Sequence, residues 1–80
     1  MDKDLAQIVA LTAARVRAEL GDLMPLLKEH DPAEEDEAIR AQIATSIYEI
    51  GLIMDGIFEE YPDLKVEFEA RVRKFGRSIG

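Results

Sequence analysis

Cysteine and tryptophan are absent from this 80-residue sequence, and histidine occurs only once. Without cysteine there are no disulfide bonds and no thiol chemistry, as expected of a protein in a reducing compartment. One histidine is too few for a structural zinc site. No apolar run approaches the ~18 residues that span a bilayer, and the two early aspartates are unlike the basic start of a signal peptide. We therefore predict a cytoplasmic protein with no membrane segment, metal or cofactor.

Length limits how well this chain can stabilise itself. Eighty residues make one domain, residues 1–80, in which only ~60–65% of the chain's surface can be buried. Domains this small usually gain stability from disulfides, a metal or a partner subunit. Since the composition excludes the first two, it favours association with another chain.

Acidic residues outnumber basic ones by 17 to 10, and the formal net charge is −7. Residues 31–69 hold twelve acidic and two basic residues, whereas residues 70–80 hold four basic residues and no acidic one. Affinity for DNA or RNA depends on cationic contacts with phosphate, so we predict no direct nucleic-acid binding. The basic residues in 70–80 are explained by favourable interaction with the negative, C-terminal end of a helix dipole.

Strand-like alternation is missing as well, because apolar residues recur at helical spacing throughout. The spacing predicts an all-α fold with helices at about 4–29, 33–60 and 63–75. The first two are similar in length and joined by a short turn, so they should form a long antiparallel hairpin. The shorter third helix covers only part of it, and dimerisation would complete the helical bundle.

A kink is predicted at 21–25 in the first helix. Pro25 clashes with the carbonyl group four residues back, which belongs to Gly21, and glycine best allows that carbonyl to turn away. Two shorter helices, with Asp22 capping the second, are the alternative. Other predicted helix ends are an N-cap at Asp2 or Asp4, a capping box opened by Asp31, and a C-terminal glycine at Gly76.

Each predicted helix carries an apolar stripe for the core. The stripes are Leu5, Val9, Thr12, Val16, Leu20, Leu23 and Leu27 in the first helix; Ile39, Ile43, Ile47, Ile50, Met54, Ile57 or Phe58, and Tyr61 in the second; and Leu64, Phe68, Val72 and Phe75 in the third.

The second helix is apolar on its opposite side too. Tyr48 and Leu52 lie there, and with their neighbours they define a surface that we call the back seam: Ala41, Thr45, Tyr48, Leu52, Ile53 and Gly56. A helix that is apolar on two sides must be covered twice. The third helix, a second copy of the chain or another protein could cover the back seam, and we predict a homodimer interface. Gly51 and Gly56 further suggest close helix contact or a local bend.

No residues in the sequence form a recognisable catalytic motif. His30 lies in a turn, no nucleophile motif or phosphate loop is present, and Glu-x-x-His is missing. A divalent-metal site at Glu59, Glu60, Glu67 and Glu69 is the only enzymatic alternative. We therefore predict a non-enzymatic protein–protein interaction module, an adaptor or small regulator.

The excess of acid supports one alternative function. An acidic helical protein can occupy the basic groove of a nucleic-acid-handling protein by imitating nucleic acid. The predicted acidic patch for such an inhibitor is Glu34, Glu35, Asp36, Glu37, Glu59 and Glu60.

Overall fold

The computed structural model describes residues 1–30 and 37–76. These residues form three α-helices and no strand: α1 (Lys3–His30), α2 (Glu37–Glu60) and α3 (Pro62–Phe75). The predicted all-α fold class is confirmed, and dimerisation stays a prediction.

The helix ends follow local chemistry. Asp2 caps α1, because its Oδ1 accepts a hydrogen bond from the Leu5 backbone N–H at 2.8 Å. α1 then continues through Pro25 as one helix rather than two. Gly76 ends α3 in the left-handed conformation (φ 77°), and its N–H donates to the Val72 carbonyl. The capping box predicted at Asp31 lies outside the described residues.

The core lies where the start of α1 meets the end of α2 and the start of α3. Ala6 and Ala10 of α1 form one buried cluster with Ile57 of α2 and Leu64 of α3. Residues from the opposite ends of α1 and α2 therefore meet, so these two helices run antiparallel as a hairpin. Among the described residues only six apolar side chains are buried, and three are alanines, so the core is thin.

The predicted contact face of α1 is only partly correct: Val9 packs against the buried cluster, and Leu20 and Leu27 are half-buried. Leu5, Val16 and Leu23 of the predicted stripe are 47%, 37% and 41% exposed. The buried face is formed instead by three alanines, Ala6, Ala10 and Ala14, which project ~120° from the centre of that stripe. Alanine has the smallest apolar side chain, so it lets neighbouring helices approach α1 closely, while Leu5, Val16 and Leu23 remain largely outside this contact.

The α2 stripe is confirmed except at one end. Met54 and Ile57 are buried, and Ile43, Ile47 and Ile50 are half-buried. Ile39, at the first turn of α2, is 49% exposed.

α3 lies across the open end of the hairpin. Leu64 is buried there, and the Phe68 ring lies 5.5 Å from the Phe58 ring, between centroids, at a 40° angle. The Tyr61 hydroxyl, just before α3, donates a hydrogen bond to the Met1 carbonyl. The later turns pack less, since Phe75 is 53% exposed, so the predicted α3 stripe holds only for the first half of the helix.

An ion pair between Lys3 and Asp63 also joins the start of α1 to the start of α3. The hydrogen bond from Lys3 lowers the pKa of Asp63 below its ordinary 3.8. The same bond raises the pKa of Lys3 above its ordinary 10.5. Asp63 therefore contributes stability above pH 3.8 that is lost as the pH falls through its folded-state pKa. Lys3 contributes stability below pH 10.5 that is lost as the pH rises through its raised pKa.

We expect Asp63→Asn to flatten the acid side of the stability profile. Both side chains of the pair are 57% exposed, so the effect should be small and should shrink as salt is added. Thermal unfolding between about pH 2 and 7 measures it, with Asp55→Asn as the control because Asp55 is an exposed carboxylate on α2. Equal flattening by both variants would show that the Lys3–Asp63 pair has no special part in acid stability.

Candidate protein-interaction surface

All six residues of the back seam are exposed. Tyr48 is 64% exposed, Leu52 45% and Ile53 50%, although each is large and apolar over most of its surface. Ala41, Thr45 and Gly56 lie on the same side of α2 by helical spacing. The seam is therefore a continuous strip of apolar and small side chains on the outer side of the hairpin.

α3 does not cover the back seam, so that alternative is wrong. It packs instead against the side of α2 that carries Phe58, and against the first turns of α1. The physical reason is the short connection after α2: Tyr61 alone separates Glu60 from Pro62, and the Tyr61 side chain is directed toward Met1. The chain thus turns toward α1 before α3 begins.

The two glycines of α2 do not mark close helix contacts among the described residues. A Cβ added at Gly56 would meet no heavy atom within 4 Å. At Gly51 the nearest group is the Arg17 guanidinium, whose Cζ would lie 3.5 Å from that Cβ. Gly51 therefore lies beneath a long side chain of α1 rather than against a backbone, and Gly56 presents an open, flat position within the seam.

The described residues of the predicted acidic patch lie at opposite ends of α2. Glu37 lies at its first residue, and Glu59 and Glu60 lie at its end, all exposed. At ~1.5 Å per residue, Glu37 and Glu59 are ~33 Å apart. Glu34, Glu35 and Asp36 lie outside the described residues.

Acids beyond the end of α2 are partly neutralised by neighbouring bases. Asp63 pairs with Lys3, and Glu67 accepts a 3.0 Å hydrogen bond from Arg71 one turn later. This end of the molecule therefore has a weaker negative field than its acid count suggests, which lessens its suitability for a basic groove.

Groups that carry out chemistry are scattered over residues 1–30 and 37–76. No three histidine or acidic side chains come together there in a way that could hold a metal ion, so Glu59, Glu60, Glu67 and Glu69 do not gather as the enzymatic alternative requires. His30 is exposed, with its Nε2 3.9 Å from the Glu29 carboxylate. In the same residues, no helix combines the length and apolar character needed to cross a bilayer.

A cavity of about 10 Å³ lies beneath α3. Its walls are mostly apolar and include Ala10, Phe58, Leu64 and Phe68, with Glu67 and Arg71 at the edge. This volume is close to that of a single water probe, so the cavity is a packing gap rather than a ligand site.

A second exposed apolar surface was missed in the sequence, because Leu5, Val16 and Leu23 were assigned to the core and Ile8 and Leu26 to no surface. It lies on α1 and includes Leu5, Ile8, Val16, Leu23 and Leu26, which are 37–61% exposed. One signal was present in the sequence: Ala6, Ala10 and Ala14 recur every four residues, which is the spacing of a close-packed helix face.

Comparison with known proteins adds no relative: no family model, curated protein or solved structure matches this chain.

Proposed function

We propose that this protein is a non-enzymatic protein–protein interaction module, an adaptor or small regulator that works as a homodimer through its helical surfaces. The observation that carries the interaction role is the exposure of the whole back seam, and the homodimer rests on the need of so small a domain for a partner subunit. Its placement in the cytoplasm rests on composition alone and stays a prediction.

The composition of the back seam suits a protein partner. Tyr48 and Leu52 supply a large aromatic and a large aliphatic side chain at its centre, and buried aromatic anchors contribute much of the energy of many protein interfaces. Ala41 and Gly56 lie near its ends, where small side chains let a partner helix approach closely. Such a strip fits the apolar face of an amphipathic helix.

We expect Leu52→Arg to abolish partner binding at the back seam while the protein stays folded. Leu52 is 45% exposed, so the arginine head can remain in water in the free protein, whereas a docked partner would bury it. Affinity capture from the native host, with mass-spectrometric comparison of wild type and variant, measures the loss.

Val66→Arg is the matched control, because Val66 is 65% exposed and lies on α3, away from the seam. The proposal requires a protein that wild type and Val66→Arg retain and that Leu52→Arg loses. Equal capture by all three would remove the back seam as the docking surface. Capture that weakens steeply with salt would instead favour the acidic inhibitor.

A further inference from the structure

We propose that a second copy of this chain packs on the side of the hairpin opposite α3 and completes a four-helix bundle there. This side, which we call the open face, is formed by Leu5, Val16 and Leu23 of α1 with Ile39 and Ile53 of α2. The inference rests on the homodimer in the proposed function, and it names the surface and orientation of that dimer.

The position of α3 identifies the open face on α1. Gln7 and Leu11 line the space beneath α3. Viewed down the α1 axis, they project ~60–100° from Ala10 in one direction. Leu5, Val16 and Leu23 project ~120–140° from Ala10 in the other direction. The α1 part of the open face therefore points away from α3.

α2 contributes to the same side of the molecule. Phe58, which contacts Phe68 of α3, projects ~40° from Met54 in one direction, and Ile39 and Ile53 project ~60–100° in the other. α1 and α2 run antiparallel, so side chains that are displaced around each helix axis in the same rotational direction from the α1–α2 contact lie on the same side of the helix pair. The exposed side chains of α1 and α2 thus form one apolar face, with each of the five 37–50% exposed.

The shape of the molecule leaves this face in need of cover. Its Cα atoms extend 44 × 26 × 15 Å, so it is thin in one direction, whereas stable domains are built from at least two packed layers. Its accessible surface is 5839 Å², against ~4,900 Å² for a compact monomer of this mass. The excess of ~900 Å² is similar to the ~800 Å² that each partner buries in a stable complex.

A second copy fits because the α1 sequence is self-complementary. The apolar stripe from Leu5 to Leu27 steps by 4, 3, 4, 4, 3 and 4, which reads the same from either end and is centred on Val16. Two copies of α1 packed antiparallel would place Val16 against Val16, and Leu5 against Leu27 of the second copy. A two-fold interface requires this reciprocity. The stripe contains no charged residue, so it offers nothing to attract a basic partner.

Oligomeric state gives the first test, by sedimentation equilibrium with folding checked by circular dichroism. Wild type is expected at twice the 9.0 kDa of one chain. Its association should tighten with salt, because salt screens the repulsion between two copies of net charge −7. Val16→Arg sets two like charges against each other at the two-fold axis and should raise the dimer Kd by about a hundredfold or more. Leu52→Arg should leave the dimer intact, since Leu52 projects ~100–140° from Ile53 and Ile39 around α2, and Ile53 is the one residue shared by the back seam and the open face.

A positive test uses the absence of native cysteine, and it serves even if Val16→Arg does not fold. Val16→Cys should form a disulfide-linked dimer under mild oxidation, because the two residues meet at the axis. Leu5→Cys is the control, since its two copies would lie ~33 Å apart, far beyond the ~7 Å that a disulfide tolerates between Cα atoms.

The outcomes separate the two proposals. A monomeric wild type at high concentration overturns both the homodimer and the open face. If Val16→Arg leaves the dimer intact, or if Leu52→Arg dissociates it, the protein is a homodimer but the open face is not its interface. Cross-linking of Leu5→Cys as fast as that of Val16→Cys overturns the antiparallel pairing.

Discussion

Replacing Ile57 with alanine is expected to lower the free energy of unfolding by about 2–5 kcal/mol, the usual cost of removing a large buried aliphatic side chain. Ile57 is 7% exposed and belongs to the cluster that joins all three helices. A domain of this length has a total stability of ~4–12 kcal/mol. The variant should therefore be marginally folded or unfolded at room temperature, as measured by urea denaturation at one fixed protein concentration.

Ile8→Ala provides the matched control for Ile57→Ala. Ile8 is 61% exposed on α1, so the same chemical change should alter stability by no more than about 0.5 kcal/mol. Similar losses at both positions would mean that the core does not lie where the three helices meet.

Enlarging Ala10 to leucine is expected to destabilise the protein by about 1–3 kcal/mol, because extra atoms in a packed core force neighbouring side chains and backbone apart. Ala10 is 3% exposed and lies in the same cluster as Ile57 and Leu64. The added side chain would push α1 away from Ile57 of α2 and Leu64 of α3. Thermal unfolding followed by circular dichroism measures the loss.

Ala18→Leu is the control for this change, since Ala18 is exposed on α1 and both residues have high helix propensity. It should leave stability nearly unchanged. If Ala10→Leu were neutral, the contact of α1 within one chain would not run through the alanines.

Two surfaces of the hairpin have separate roles in the proposals. The open face lies opposite α3 and is assigned to a second copy. This proposal replaces the homodimer interface that the sequence predicted at the back seam, and the seam, on the outer side of α2, is assigned to a different protein. Ile53 lies at the boundary between them. A dimer formed through the open face would therefore present two back seams, and two copies of one site can bind a bivalent partner more tightly than either site alone.

Local features of the fold were predictable from the sequence. Asp2 caps α1 and Gly76 ends α3 because these functions depend on a side chain or a backbone angle within a few residues of the helix end. The α2 stripe was predictable for a similar reason: Met54 and Ile57 are large and apolar, and they lie on its more apolar side. The back seam also follows from helical spacing, and all six of its residues are exposed.

The sequence by itself determined that the chain is helical, where several helices begin and end, and that α2 is apolar on two sides. Only the tertiary structure decided which face of α1 is buried and where α3 lies. Periodicity measures the size and polarity of side chains along one helix, so it favoured the stripe of Leu5, Val16 and Leu23. Contact between helices depends on how closely their axes approach, and that depends on small residues such as Ala10 meeting Ile57 and Leu64, about 50 positions away in the sequence.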